Sequence, residues 1–350
     1  MPAISASDKV LITGANGFIG HWLIRLLLEG GYSVRAAVRS TDKGEQLLKT
    51  VSAKIPERSK DVEYVVIPDF TAENAYDDAV RGVAGIVHIA SPSSVLVPDP
   101  QKVIRPAVDA TVGLVKSAIA HGDALKRIVV TSSIKAVIGP EYGRTYTEED
   151  WAEHSVKEVE EKGAEADITD IYSASKVLAE QAAWKLREEN KERISWDVSA
   201  ICPGWTFGPP MDDPASPAAL TSTAKMFYEV FTGNPMWSLL FKIGHNFVDV
   251  RDVALGMLKA LEIEEAGGER FIMTSQWLTW QDYFNTARDL DYFPKLDKGD
   301  PHRSDGVPPA RICSNEKAKR VLGITFKQMP ETLKDILDDY RARGWLAEYE

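Results

Sequence analysis

The chain has 350 residues, more than a single hydrophobic core usually serves, so a large domain carrying a smaller lobe is expected. Its 44% hydrophobic and 27% charged residues are those of an ordinary globular protein, and a net charge of -11 argues against nucleic acid or an anionic membrane as partner. Two cysteines, Cys202 and Cys313, imply no disulfide framework; with no signal-peptide pattern near the start and no apolar run approaching a membrane span, a reducing cytoplasmic setting is expected.

The first element is a strand over residues 10–12, and it runs into Thr13-Gly14-Ala15-Asn16-Gly17-Phe18-Ile19-Gly20 before a helix over 22–28. A strand that turns on glycines into a helix aims backbone N–H groups and the positive helix end at one point, where a pyrophosphate can sit. Gly14 permits the tight turn, Gly17 the approach of the phosphates, and Gly20 the packing of helix on strand. The spacing G-x-x-G-x-x-G is one residue longer in its first gap than the standard dinucleotide fingerprint. A ligand-free glycine turn is the competing reading, and the strand-to-helix context weighs against it.

The second strand, 32–38, ends at Arg39, where sites for NAD place an acid on the ribose 2′-hydroxyl. A guanidinium there grips a 2′-phosphate instead, and Lys43 adds charge one turn later, so NADPH (with its oxidised form NADP+) is the expected cofactor. Further strands are predicted at 62–67, 85–89, 127–131, 196–202 and 269–273, with helices at 74–81, 104–120 and 170–190. This alternation specifies an α/β fold, a doubly wound, mostly parallel sheet of the Rossmann type. The strand ends carrying Asp69-Phe70, His88 to Pro92, Thr131-Ser132-Ser133 and Pro203-Gly204-Trp205 are expected to converge on the cofactor.

The expected division is a dinucleotide-binding domain over 1–203 with a return segment near 242–262, and a smaller substrate lobe over 204–241 and 263–350. Residues 148–170 read as an acid-rich, solvated excursion. Residues 207–235 are rich in proline and then carry Met226, Phe227, Val230 and Phe231 on one helical face, either a lid over the site (207–237) or packing for the lobe. Helices follow at 280–290 and 331–343, separated by 297–309.

Tyr172 and Lys176 stand four residues apart and share a helix face. An ammonium beside a phenol favours the phenolate and readies it for proton transfer. Ser133, at a strand end, can meet this pair and hydrogen-bond a substrate carbonyl. His88 reads as a satisfied structural residue, Cys202 as a buried small hydrophobe, and the pairs Asp249/Asp252 and Asp338/Asp339 as cap or surface carboxylates. No histidine pairing suggests a metal site.

With Gly14-x-x-Gly17-x-x-Gly20, Thr131-Ser132-Ser133, Tyr172-x-x-x-Lys176 followed by Val177 to Trp184, and Pro203-Gly204-x-x-x-Gly208-Pro209, the chain resembles the extended short-chain dehydrogenases. Within them it is similar to the dihydroflavonol reductase group, which includes fungal and yeast aldehyde, ketone and methylglyoxal reductases. The resemblance implies catalytic roles for Ser133, Tyr172 and Lys176. It places Arg39 and Lys43 on the 2′-phosphate, Asp69 with Phe70 near the adenine, and Pro203 to Thr206 along the nicotinamide. Ala90, Ser91 and Thr131 complete the expected cofactor contacts. Ser93, Ser94, Ser133, Ile134, Trp205 and Phe227 are the expected substrate pocket. One departure stands out: many relatives read Gly-Thr-x-Asn where this chain has Ala110-Thr111-Val112-Gly113, so no fourth catalytic residue is assigned.

These features predict an NADPH-dependent reductase taking a small aldehyde or ketone to the alcohol. A dihydroflavonol or hydroxycinnamoyl-CoA reductase on the same machinery, and a non-catalytic NADP-binding regulator, are the alternatives. Monomer and homodimer are both compatible with the sequence.

Overall fold

A computed structural model describes residues 4–91, 99–290, 302, 305–308 and 310–349. The amino-terminal half lays down β1 (Lys9–Thr13), α1 (Phe18–Glu29), β2 (Ser33–Val38), α2 (Thr41–Lys54), β3 (Val62–Val66), β4 (Gly85–His88), α3 (Gln101–His121) and β5 (Arg127–Thr131). It continues through β6 (Thr145–Tyr146), α4 (Glu153–Lys162), α5 (Ile168–Glu189), β7 (Asp197–Pro203) and β8 (Trp205–Phe207). The rest comprises α6 (Ser222–Phe231), β9 (Gly244–Asp249), α7 (Val250–Glu262), β10 (Arg270–Met273), β11 (Gln276–Thr279), α8 (Trp280–Leu290), β12 (Ile312–Cys313), α9 (Glu316–Leu322) and α10 (Met329–Ala342).

Seven strands form one parallel sheet in the order β10-β7-β5-β4-β1-β2-β3. The strand order reverses between β1 and β4, which is where a doubly wound sheet opens a crevice at its carboxyl edge. Both faces of the central strands are apolar, as parallel strands covered by helices require. α1 and α7 pack together on one face, and α3 with α5 on the other. A separate aromatic core, built on Phe207, Phe227, Phe231, Trp280, Tyr283 and Phe284, organises the smaller lobe.

Three expectations need correction. Residues 74–81 form consecutive turns and not a helix, starting from Asn74 at a left-handed φ of 59°. The domain boundary also differs: β10 is the edge strand of the main sheet, pairing with β7, although it lies in the stretch assigned to the lobe. Within the return segment, α7 packs on the main sheet but β9 pairs with β8 and β11 in a three-stranded lobe sheet. The excursion at 148–170 is not simply solvated, since Glu148 is buried and accepts the Ile272 N–H at 3.1 Å.

The pair Asp249/Asp252 divides. Asp249 caps α7, its carboxylate accepting the Arg251 N–H, whereas Asp252 is buried and accepts the Lys327 N–H at 2.7 Å. Burial, reinforced by Asp249, pushes Asp252 up to about 7.

Candidate active site

The glycine turn is shaped by contacts that exclude any side chain. Gly14 has φ 71°, and a Cβ there would lie 2.9 Å from the Ala90 nitrogen. At Gly20 a Cβ would lie 2.4 Å from the Gly14 carbonyl oxygen, so α1 can close onto the turn only without one. A Cβ on Gly17 would meet nothing nearer than that same oxygen, at 3.2 Å, and so points into space a phosphate can use. Gly17 is also the N-cap of α1, offers no side-chain cap, and leaves the positive helix end available to an anion. Phe18 departs from a purely cofactor-facing role, for it is buried in the lobe core and fastens the lobe to this turn.

Behind the turn, His88 holds three elements together. Thr13 Oγ1 accepts the Ala90 N–H at 3.1 Å, so its own proton goes to His88 Nδ1 at 2.8 Å. Thr111 donates to the Ala107 carbonyl, which leaves its oxygen to accept from His88 Nε2–H at 3.3 Å. Burial, with the Lys176 ammonium second, pushes His88 down to about 3. The neutral, fully partnered ring is structural, as expected.

The β2 end presents Arg39 and Lys43, both exposed, and among the described residues Arg39 has no ion-pair partner. Ser40 caps α2 by accepting the Lys43 N–H. A strand-end guanidinium, a lysine and a helix start thus face solvent together, a donor set suited to a phosphate. Asp69 is bound up locally, its Oδ1 accepting the Thr71 N–H at 2.8 Å and hydroxyl at 2.7 Å, which lowers its pKa; Phe70 stacks on Tyr76.

At the β5 end, Ser132 N–H binds the Ile201 carbonyl of β7, and the chain enters a short turn over Ile134–Ala136. Ser133 Oγ accepts the Lys135 N–H at 3.1 Å, which leaves its own proton to donate. That turn packs against α5, the helix carrying Tyr172 and Lys176. Lys176 is 8% exposed, and its Nζ lies 5.8 Å from the Tyr172 ring centroid. Neither the Tyr172 hydroxyl nor Lys176 Nζ has a hydrogen-bond partner among the described residues. Ala90, Ser91, Thr131, Ser132, Lys176 and Glu180 line one small cavity of about 20 Å³ with His88, room for one water. The ends of β4 and β5 and helix α5 therefore meet, as the sequence leads one to expect.

β7 delivers Pro203 and Gly204 to the same edge, and Gly204 is required because a Cβ would lie 2.4 Å from the Asn246 carbonyl oxygen. Trp205 is half-buried and stacks on His245, centroids 4.9 Å apart, while Thr206 donates to the Gly204 carbonyl. Of the expected pocket residues, Phe227 is 1% exposed within the lobe core and offers no surface to a ligand. Ile134 likewise packs against Val137, Tyr146 and Cys313. Ser93 and Ser94 lie outside the described residues. The apolar face of α6 is sunk in the same core, and the Pro209 carbonyl accepts from Trp22 Nε1, so 207–237 is fastened at both ends.

Sequence reasoning missed the polar support beneath the site. Glu180, Arg270 and Ser132 form a buried cluster whose members are 48 to 138 positions apart, and no spacing pattern marks such a contact.

The profile of the NAD dependent epimerase/dehydratase family matches residues 10–273. The chain belongs to this family. Among its relatives, the ketoreductase azaE of Aspergillus niger is 31% identical, covering 95% of this chain and 97% of its own. Aldehyde reductase 2 of Sporidiobolus salmonicolor is 32% identical over 94% of each chain. The crystal structure of yeast methylglyoxal/isovaleraldehyde reductase Gre2 complexed with NADPH superposes with a TM-score of 0.80 at 26% identity, covering 96% of this chain and 99% of that one. This epimerase/dehydratase member has the Rossmann-type fold of these reductases, and among its described residues no helix is long and apolar enough to cross a membrane.

Proposed function

We propose that the protein is an NADPH-dependent carbonyl reductase that converts a small aldehyde or ketone to the alcohol. The observation that carries this reading is that the turn capped by Ser133 packs on α5, the helix carrying Tyr172 and Lys176, at the sheet edge that also holds the glycine turn. The names of its relatives, a ketoreductase, an aldehyde reductase and an NADPH-bound methylglyoxal/isovaleraldehyde reductase, support it.

The residues present fit the cofactor. The uncapped start of α1 and the side-chain-free face at Gly17 suit the pyrophosphate, and Arg39 with Lys43 suits the 2′-phosphate. Thr131, with an orphaned buried hydroxyl, and Pro203 to Thr206 border the region assigned to the nicotinamide end. When bound, NADPH supplies the hydride for the carbonyl carbon. Ser133 donates its free proton to the carbonyl oxygen and fixes its direction. Tyr172 gives that oxygen its proton, with the Lys176 Nζ 5.8 Å from its ring centroid. Buried surroundings strengthen each of these contacts. Two buried free thiols, Cys202 and Cys313, accord with a cytoplasmic setting; burial pushes both up in pKa and leaves them inert.

The test is NADPH oxidation across aliphatic and aromatic aldehydes, β-ketoesters, α-dicarbonyls and acyl-CoA thioesters. Tyr172→Phe, which removes only the hydroxyl, should lower turnover by ~10²-fold or more with little change in NADPH affinity. Turnover near wild type would take Tyr172 out of the reaction.

A further inference from the structure

Directly below the proposed catalytic groups lies a buried carboxylate that the reaction does not use. Glu180 is 2% exposed and stands one helical turn beyond Lys176 on α5. Its Oε2 accepts the Ser132 hydroxyl at 2.5 Å, and its Oε1 accepts Arg270 Nε at 2.6 Å, with Arg270 Nη2 reaching Oε2 at 3.3 Å. Trp184 Nε1 adds a contact at 3.3 Å and Cys202 Sγ one at 3.9 Å. An isolated buried carboxylate is expensive, whereas one with a two-pronged guanidinium and an O–H donor is satisfied and held in a single geometry.

Arg270 extends this grip. Its Nη1 donates to the carbonyls of Glu148 and Asp150, and its guanidinium lies 3.7 Å over the Trp151 ring. One cluster therefore ties the β5 end, helix α5, strand β10 and the segment leading into α4. These pieces surround Ser133, Tyr172 and Lys176. At the β5 end, beyond the Ser132 N–H on Ile201, the Ser132 hydroxyl on Glu180 is the side-chain hydrogen bond that pins this end to helix α5.

We infer that Glu180, held by Arg270 and acting through the Ser132 hydroxyl, is a positioning residue that fixes Ser133 relative to the Tyr172/Lys176 helix. This rests on the reductase reading for its catalytic consequence but not for its structural one. Ser132→Ala is the discriminating variant, because it deletes the hydroxyl and leaves the Glu180–Arg270 pair intact. Freed from Glu180, the turn after β5 should loosen. A displacement near 1 Å in a reacting geometry lowers rates by up to ~10²-fold, so kcat is expected to fall about 10- to 100-fold while KM stays within about 3-fold.

The experiment pairs two readouts on the full-length wild type, Ser132→Ala and Glu180→Gln. Amide hydrogen exchange is followed over 131–137, with 127–130 as the internal reference, and NADPH-dependent turnover is followed with the best aldehyde. Faster exchange confined to 131–137, with kcat reduced and KM held, is the expected result. Combining the two substitutions should then add little beyond Glu180→Gln alone, since both act through one link. Glu180→Gln strands the Arg270 charge and can unfold the chain, in which case Ser132→Ala decides by itself. Unchanged exchange over 131–137 in a folded Ser132→Ala protein overturns the inference, whatever the activity. Looser exchange in a protein whose wild type oxidises no NADPH would instead sink the reductase reading and leave the positioning role standing.

Discussion

Replacing Gly20 with alanine sets two effects against each other. In a helix interior, alanine is favoured over glycine by about 0.5–1 kcal/mol, because glycine loses more backbone freedom on folding. Against this, the new Cβ would lie 2.4 Å from the Gly14 oxygen and 2.6 Å from the Ala15 oxygen, both backbone atoms of a turn that cannot swing away. The shortfall from ordinary contact is about 1 Å, and overpacking of this kind costs roughly 1–3 kcal/mol, so the clash wins by about 1–2 kcal/mol. Relief by sliding α1 outward would also withdraw its N–H groups from the phosphates, and losing one such contact weakens NADPH binding roughly 10- to 100-fold. Gly113→Ala on α3 is the matched control. Its Cβ would meet the Tyr76 ring at 3.6 Å, an ordinary contact, so only the propensity gain remains and stability should rise by about 0.5–1 kcal/mol. Thermal midpoints of the two variants, with NADPH affinity by fluorescence titration, check both signs. A Gly20→Ala protein as stable as Gly113→Ala and unimpaired in NADPH binding would refute the argument that these glycines are present for close approach.

Arg39→Ala should cost one charge-assisted contact, ~1.5–3 kcal/mol or roughly 10- to 100-fold in NADPH affinity, and leave NADH use nearly unchanged; equal losses with both cofactors would make Arg39 a folding residue. Asp252 is raised to about 7 by burial, so the folded chain holds its proton more tightly than the unfolded one. The stability it contributes is full below about pH 4 and is lost as pH climbs through about 7. Asp252→Asn keeps the acceptor for Lys327 N–H, and should be neutral at pH 4 but stabilising by about 2–4 kcal/mol at pH 8 in urea unfolding; a pH-independent difference would contradict this. The apolar face of α6 is buried in the lobe, so amides over 222–231 should already resist exchange without cofactor, and rapid exchange there would restore a lid.

Much of this site is legible in the sequence because its elements are local. A glycine turn between a strand and a helix, two residues one turn apart on α5, and an arginine at a strand end each declare their geometry within a few positions, since the period of 3.6 or 2 fixes which side chains share a face. The parallel sheet follows from alternation of strands and helices for the same reason. Other features had no such signature. The helix expected over 74–81 is a run of turns, β10 joined the main sheet from beyond the lobe's first strands, and Phe227 went into the lobe core. Burial on a helix face says that a residue packs, not against what. Above all, the Ser132–Glu180–Arg270 cluster, the His88 bridge between Thr13 and Thr111, and the Trp205–His245 stack join residues that are neighbours only after the crossovers have closed. The sequence by itself determined which candidate groups stand at the strand ends and share a helix face; the tertiary structure alone decided what packs beneath them, because a buried charge finds its partner by folding and not by spacing.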